Sequence, residues 1–175
     1  TPTRSSAASD VYKRQTITCA NDDARKMFVE GFGHMLNFNH EQAIACYMKV
    51  AELDSNCAMA YWGIAYCVSS NYNWTPGLGS GYDPIQQAIA LKAGCSELEQ
   101  DLIDALAERH SEEARDASDP SVLNMGNTPE LNAAFAAAMA PLYEKYKGNL
   151  DVAAIYVEAL MNLCLLYTSP SPRDH

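Results

Sequence analysis

The sequence has no long apolar run and few basic residues. Although 48% of its 175 residues are apolar, no stretch reaches the ~18–20 uncharged apolar residues that a membrane-spanning helix needs. Only 12 Lys and Arg stand against 22 Asp and Glu, and the basic residues form no cluster. A net charge of −10 repels a phosphate backbone on average. We therefore expect neither a nucleic-acid partner nor a membrane partner.

Metal-binding and disulfide motifs are also missing. The six cysteines form no CxxC pair and have no metal-ligand spacing. Cys46, Cys57 and Cys67 fall within apolar helical patterns, where a thiol behaves as a small hydrophobic group. This usage favours reduced thiols in a reducing compartment, and we expect a cytoplasmic location.

The histidines and glycines indicate no catalytic chemistry. His34 and His40 are six residues apart and lack an accompanying acid–cysteine cluster, so we expect buried histidines that hydrogen-bond across the turn. His110 ends a predicted helix, where an imidazolium would favour the helix dipole. A phosphate-binding glycine loop follows a strand, and no strand is predicted before the glycines of residues 77–81. We predict no catalytic residue, metal site or cofactor.

The two ends of the chain differ from its middle in composition and periodicity. Residues 1–15 and 164–175 both resemble translated sequencing-library adapter. We expect non-native or disordered tails at both ends, with the domain at residues 16–163. We also expect the natural protein to continue past residue 163.

The middle of the chain shows apolar residues at helical spacing and no convincing strand. Asn21 to Asp23 offer N-cap oxygens, Ser96 and Glu99 have the spacing of a capping box, and residues 54–56 are expected to cap the third helix. The predicted helices cover about 24–37, 41–53, 57–69, 85–94, 96–110, 128–147 and 150–163. The protein is therefore predicted to be all-α, with about seven helices.

The third of these helices is apolar nearly all the way round. Such a helix must be buried on more than one face. Gly63 lowers its helix propensity by up to ~1 kcal/mol relative to Ala, so we expect a close packing contact at that glycine. The helix is predicted to be sandwiched between neighbouring helices.

The helix pairs recur after 34 residues and resemble the tetratricopeptide (TPR) repeat. Gly31, Ala43 and Tyr47 stand at the small, small and aromatic positions of a first repeat at about 24–57. A second repeat begins at Ala58, with a long loop at 69–84 and divergent helices over 96–163. The resemblance implies a TPR-like α-α superhelix, or solenoid.

The middle of the chain also resembles an uncharacterised TPR family best known in bacteria. The stretches that carry this resemblance are FNHEQA, AYWGIAY, NYN, LIDALAERHS and DVAAIYVEALMNL, which follow one another between residues 24 and 163. The family resemblance implies the fold and says little about activity.

In TPR folds the first helix of each pair lines a concave groove. That resemblance implies a groove lined by Arg25, Phe28, Phe32, Met35, Met59, Trp62 and Tyr66. An aromatic and Met-rich groove suits a peptide with apolar anchors, although these side chains could instead pack against later helices. The carboxylate clamp of chaperone-binding TPR proteins is not expected, because Phe28, Phe32 and Gly63 stand at three of its places.

The functional hypothesis is a non-catalytic scaffold for protein or peptide partners, with self-association through a truncated C-terminal edge. The alternative is an all-α enzyme or small-ligand-binding protein whose site lies at the 69–84 loop. The loop candidates are Asn71, Tyr72, Asn73 and Trp74. Glu158 and Asn162 share one face of an apolar helix, and we expect an interhelical hydrogen bond there rather than a catalytic acid.

Overall fold

The computed structural model describes residues 17–69, 80–112 and 129–164, and these contain seven α-helices and no strand. The predicted tail at residues 1–15, residues 165–175 of the other tail and the loop candidates Asn71 to Trp74 lie outside these ranges, whereas Cys164 ends the last helix. The helices are α1 (Asp22–Leu36), α2 (His40–Leu53), α3 (Ala58–Val68), α4 (Tyr82–Leu91), α5 (Glu97–Ala107), α6 (Pro129–Lys145) and α7 (Leu150–Cys164). A 3-10 turn, Lys92–Gly94, joins α4 to α5. The all-α prediction is confirmed.

Two helix starts follow the predicted capping chemistry. Asn21 Oδ1 accepts a hydrogen bond from the Ala24 amide at 2.8 Å, which satisfies an amide that has no partner within α1. Ser96 and Glu99 form both hydrogen bonds of a capping box at the start of α5. Local side-chain chemistry therefore sets where these helices begin.

Two predicted boundaries were wrong. α3 receives no cap from residues 54–56: its N-cap is Cys57, which makes no side-chain capping bond. The Asp54 carboxylate instead accepts from the amides of Ala20 (2.6 Å) and Asn56 (3.1 Å). α4 begins at Tyr82, inside the predicted loop, with Asp83 in its first turn, where the helix dipole favours an acid.

Each helix packs against the next one along the chain. α3 also contacts α1 and α5, so the first, third and fifth helices form a second row of contacts in the first half of the fold. Eight of the eleven residues of α3 are buried, on all sides of the helix. The prediction that α3 is sandwiched between neighbours is confirmed. No helix in the described ranges is long and apolar enough to cross a bilayer.

A tyrosine ring held between two glycines joins the first three helices. Tyr47 of α2 has no exposed surface. A Cβ added at Gly63 of α3 would lie 2.6 Å from three of its ring carbons, and one added at Gly31 of α1 would lie 3.1 Å from its ring. Glycine is required at both places because the ring lies against the helix backbone. The close contact expected at Gly63 is therefore present.

Candidate functional site

An apolar cleft of about 110 Å³ lies between α1 and α3 on one side and α5 and α7 on the other. Both walls are mainly apolar, and the polar groups of Glu99, Asn149 and Asp151 also face it. The cleft-lining apolar residues are Ile17, Phe28, Phe32, Met59, Trp62, Leu98, Leu102, Val152 and Ile155. Trp62 Nε1 donates a hydrogen bond to the Leu102 carbonyl at 3.1 Å, which ties the two walls together.

Residues 17–20 precede α1 and approach the cleft without regular secondary structure. Ile17 is buried and forms part of the cleft wall. The Thr18 amide donates to Glu99 Oε1, and its hydroxyl donates to Glu99 Oε2, both at 2.6 Å. The first turn of α5 therefore already holds one segment that combines an apolar anchor with a backbone donor.

The predicted groove residues divide into two groups. Phe28, Phe32, Met59 and Trp62 lie together in the cleft wall. Arg25 does not line the cleft, and its guanidinium pairs with Asp22 at 2.7 Å. Met35 is fully buried between α1 and α2, where its sulfur lies 3.7 Å from the Tyr47 hydroxyl.

Tyr66, the last predicted groove residue, belongs to a buried polar cluster beside the cleft. We use "polar cluster" for Tyr66, Arg109, Asn132, Glu158 and Asn162, each at most 7% exposed. Arg109 Nε donates to Asn132 Oδ1 at 3.1 Å, and its guanidinium lies 5.6 Å from the centre of the Phe135 ring. The cluster joins the cleft because the Tyr66 ring packs on Trp62, with centroids 5.3 Å apart.

Three polar atoms of this cluster make no hydrogen bond of standard geometry within the described residues: Tyr66 Oη, Glu158 Oε1 and Asn162 Nδ2. Burial raises the pKa of Glu158, and the nearby Tyr66 hydroxyl and Arg109 charge oppose that rise. Burial also raises the pKa of Tyr66. A buried polar group without a partner costs stability, so this concentration of three such atoms makes the polar cluster a candidate functional site.

The histidine predictions need correction. His40 is buried as expected, but its Nδ1 bonds to the Cys67 carbonyl of α3 at 3.2 Å rather than across the turn. His34 is only half-buried. His110 is no charged cap, because burial and the Arg109 charge lower its pKa to about 3. Its imidazole packs under the backbone of Gly81, and a Cβ there would lie 2.3 Å from His110 Cε1.

Sequence reasoning missed the far wall of the cleft and the centre of the polar cluster. Leu98, Leu102 and Ile155 follow ordinary helical periodicity. That pattern predicts a buried helix face but does not predict which helix packs against it. Arg109 is 1% exposed, yet an arginine near a helix end usually indicates a solvated residue. The one available signal was its place after the apolar stripe Leu102, Ala105 and Leu106.

No protein-family model matches the chain, and searches of curated proteins and of solved structures found no significant match. Function must therefore be argued from the cleft and the polar cluster.

Proposed function

We propose that this protein is a non-catalytic interaction scaffold that binds an extended segment of a partner protein in the apolar cleft. The observation that carries the proposal is the arrangement at Glu99: a cleft lined by Phe28, Phe32 and Trp62 lies beside a carboxylate that already holds a backbone amide. Apolar pockets give such complexes affinity and selectivity, while backbone hydrogen bonds fix the register of the segment.

The size of the cleft favours a peptide side chain over a metabolite. Pockets for drug-sized molecules span roughly 300–1,000 Å³. The cleft measures about 110 Å³, less than the ~150 Å³ of an engineered cavity that holds benzene. One branched aliphatic side chain fits this volume. Aromatic and Met walls are also typical of surfaces that accept such anchors.

The helix order supports a TPR-type superhelix as the framework of the scaffold. Consecutive helices pack against one another, and α3 contacts both α1 and α5. Gly31 lies close to the Tyr47 ring across the first pair, which supports assigning them to the small and aromatic positions of the repeat. In such a stack the first helices of the pairs line the concave face, and here α1 and α3 supply one wall of the cleft.

Calorimetric titration of a peptide tests this function. The protein is the full chain carrying Ile17→Ser, so that its own isoleucine side chain does not compete for the cleft. The probe is a peptide with the sequence of residues 16–21 carrying Cys19→Ser. Burying an isoleucine side chain contributes about 1.5–3 kcal/mol, so the same peptide with Ile17→Ser should bind about 10–100-fold more weakly.

A matched pair of protein variants locates the binding. Leu98→Ser in the cleft wall should weaken peptide binding by about tenfold. Val157, on the outer face of α7, is 54% exposed, and Val157→Ser should leave peptide binding unchanged. The proposal would be refuted if neither Ile17→Ser in the peptide nor Leu98→Ser in the protein changed the Kd.

A second candidate function is favoured by the polar cluster. Tyr66 lies one turn before Ser69, where the predicted 69–84 loop begins, and Gly81 near the loop's other end packs on His110. An all-α small-ligand-binding protein or enzyme would use Tyr66, Glu158 and Asn162 to contact a small polar molecule. The raised pKa of Glu158 suits a carboxyl that donates or receives a proton.

A thermal-shift panel of nucleotides and sugars tests this second candidate. A ligand at one hundred times its Kd adds about 2.7 kcal/mol, which raises Tm by roughly 5–10 °C for a domain of this size. The shift should disappear in Glu158→Gln and persist in Leu98→Ser. If no compound shifts Tm, or Glu158→Gln retains the full shift, the polar cluster is not the ligand site.

A further inference from the structure

Three side chains with metal-ligating atoms meet on the α1–α2 hairpin, away from the cleft. They are Glu30 and His34 of α1 and Cys46 of α2, and their carboxylate, imidazole and thiol atoms all lie within 4.8 Å of one another. Among the described residues, none of the three side chains takes part in a hydrogen bond or an ion pair with another residue. These donors are therefore not committed to holding the hairpin together.

The backbone explains why the three side chains converge. Glu30 and His34 are four residues apart on α1, so they lie on the same face of the helix. Gly31 lets α2 approach closely at Cys46: a Cβ at Gly31 would lie 2.9 Å from the Cys46 Cβ. The tight turn between the helices, with Phe38 at φ 59°, fixes how the two faces meet. The donor set is therefore positioned by rigid helices.

We propose that Glu30, His34 and Cys46 bind a borderline-soft divalent metal ion, of which Zn²⁺ is the reference case. Zinc binds a thiolate at about 2.3 Å, an imidazole nitrogen at about 2.0–2.1 Å and a carboxylate oxygen at about 2.0–2.2 Å. Tetrahedral binding at these lengths brings the donors at most about 1.3 Å closer than the 4.8 Å within which they now all lie. The exposed Glu30 side chain can make this adjustment by changing rotamer.

The ligand types select the class of ion. A thiolate and an imidazole favour zinc and similar transition metals, whereas Mg²⁺ and Ca²⁺ prefer sites built only from oxygen. The Cys46 thiol loses its proton to solvent as the metal–sulfur bond forms. Three protein ligands leave a fourth position for water, which is the pattern of zinc sites that are open to further ligands. This site is independent of the proposed peptide cleft.

Cobalt substitution tests the site. Co²⁺ is titrated into the reduced, untagged full chain. We expect a thiolate-to-cobalt charge-transfer band and the visible bands of tetrahedral cobalt, saturating at one equivalent and bleached by Zn²⁺. Cys46→Ser should abolish the charge-transfer band. His34→Gln and Glu30→Gln should each weaken cobalt by more than about tenfold, since even outer-shell changes cost roughly 10–100-fold.

The control is Cys95→Ser, which removes another half-buried thiol that lies near an acid, Glu99. It should leave the cobalt spectrum unchanged. A chain without the charge-transfer band, a band that survives Cys46→Ser, or a band lost in Cys95→Ser would overturn the proposal. Because His34 is only half-buried, His34→Gln tests the site even if Cys46→Ser fails to fold. Zn²⁺ should raise the Tm of the wild-type chain and leave that of His34→Gln unchanged.

Discussion

The two sides of α3 are built on different principles. Towards α1 and α2, Gly63 lies directly on the buried ring of Tyr47, and that ring's hydroxyl reaches the Met35 sulfur. Towards α5, α6 and α7, Trp62 borders an open cleft, and the Tyr66 hydroxyl makes no hydrogen bond of standard geometry within the described residues. The first side is packed to backbone contact, which makes it a rigid support. The second side carries the features that natural proteins retain at a cost in stability.

The largest effect is expected from filling the Gly63 contact. Gly63→Leu should lower the free energy of unfolding by about 3 kcal/mol, the upper end for overpacking, because even its Cβ would meet the Tyr47 ring at 2.6 Å. Urea denaturation measures this. The control is Gly33→Ala, which meets nothing within 4 Å and should raise the free energy of unfolding by about 0.5–1 kcal/mol. Equal effects from the two variants would mean that α3 is not closely packed.

Two asparagines of the polar cluster should respond in opposite directions. Asn132→Leu leaves the buried Arg109 Nε without its acceptor and should cost about 1.5–3 kcal/mol. Asn162→Leu removes a buried amide nitrogen that makes no hydrogen bond within the described residues, and it should raise the free energy of unfolding by up to about 1 kcal/mol. Chemical denaturation compares them. A larger loss from Asn162→Leu would mean that its amide is satisfied.

His110 should make stability depend on pH. Its folded-state pKa is lowered to about 3 from an ordinary value of 6.5, so the unfolded chain binds the proton first as pH falls. The stability from the buried neutral imidazole is present above pH 6.5 and is lost as pH falls towards 3. Between about pH 5.5 and 4, His110→Gln should reduce the slope by about 1.4 kcal/mol per pH unit. An unchanged slope would place His110 in water.

The smallest effect on stability is expected on the outer face of α7. Val157, Leu160 and Met161 are each 39–54% exposed there, which forms an apolar strip on one helix. We predict that two copies of the chain associate through this strip at high concentration. Val157→Lys should keep the free energy of unfolding within about 0.5 kcal/mol while removing the dimer in sedimentation experiments. A wild-type chain that stays monomeric would contradict this.

What could be predicted from the sequence was mostly local. The caps at Asn21 and Ser96 and the apolar stripe of α1 depend on residues a few positions apart, and the structure has them. The cleft depends on α1 and α3 meeting α5 and α7, and periodicity does not specify which faces meet. The donor set at Glu30, His34 and Cys46 was missed because His34 was compared only with His40. Its actual neighbours are Glu30, four residues earlier on the same helix, and Cys46 on the next helix.

The most direct test of the contrast between the two sides of α3 is a methyl NMR titration. With methionine methyls labelled, Met59 reports from the cleft and Met35 from the packed side against Tyr47. Addition of the residue 16–21 peptide to the Ile17→Ser chain should move the Met59 signal and leave the Met35 signal in place. Movement of both signals, or of Met35 alone, would contradict a rigid support behind a binding cleft.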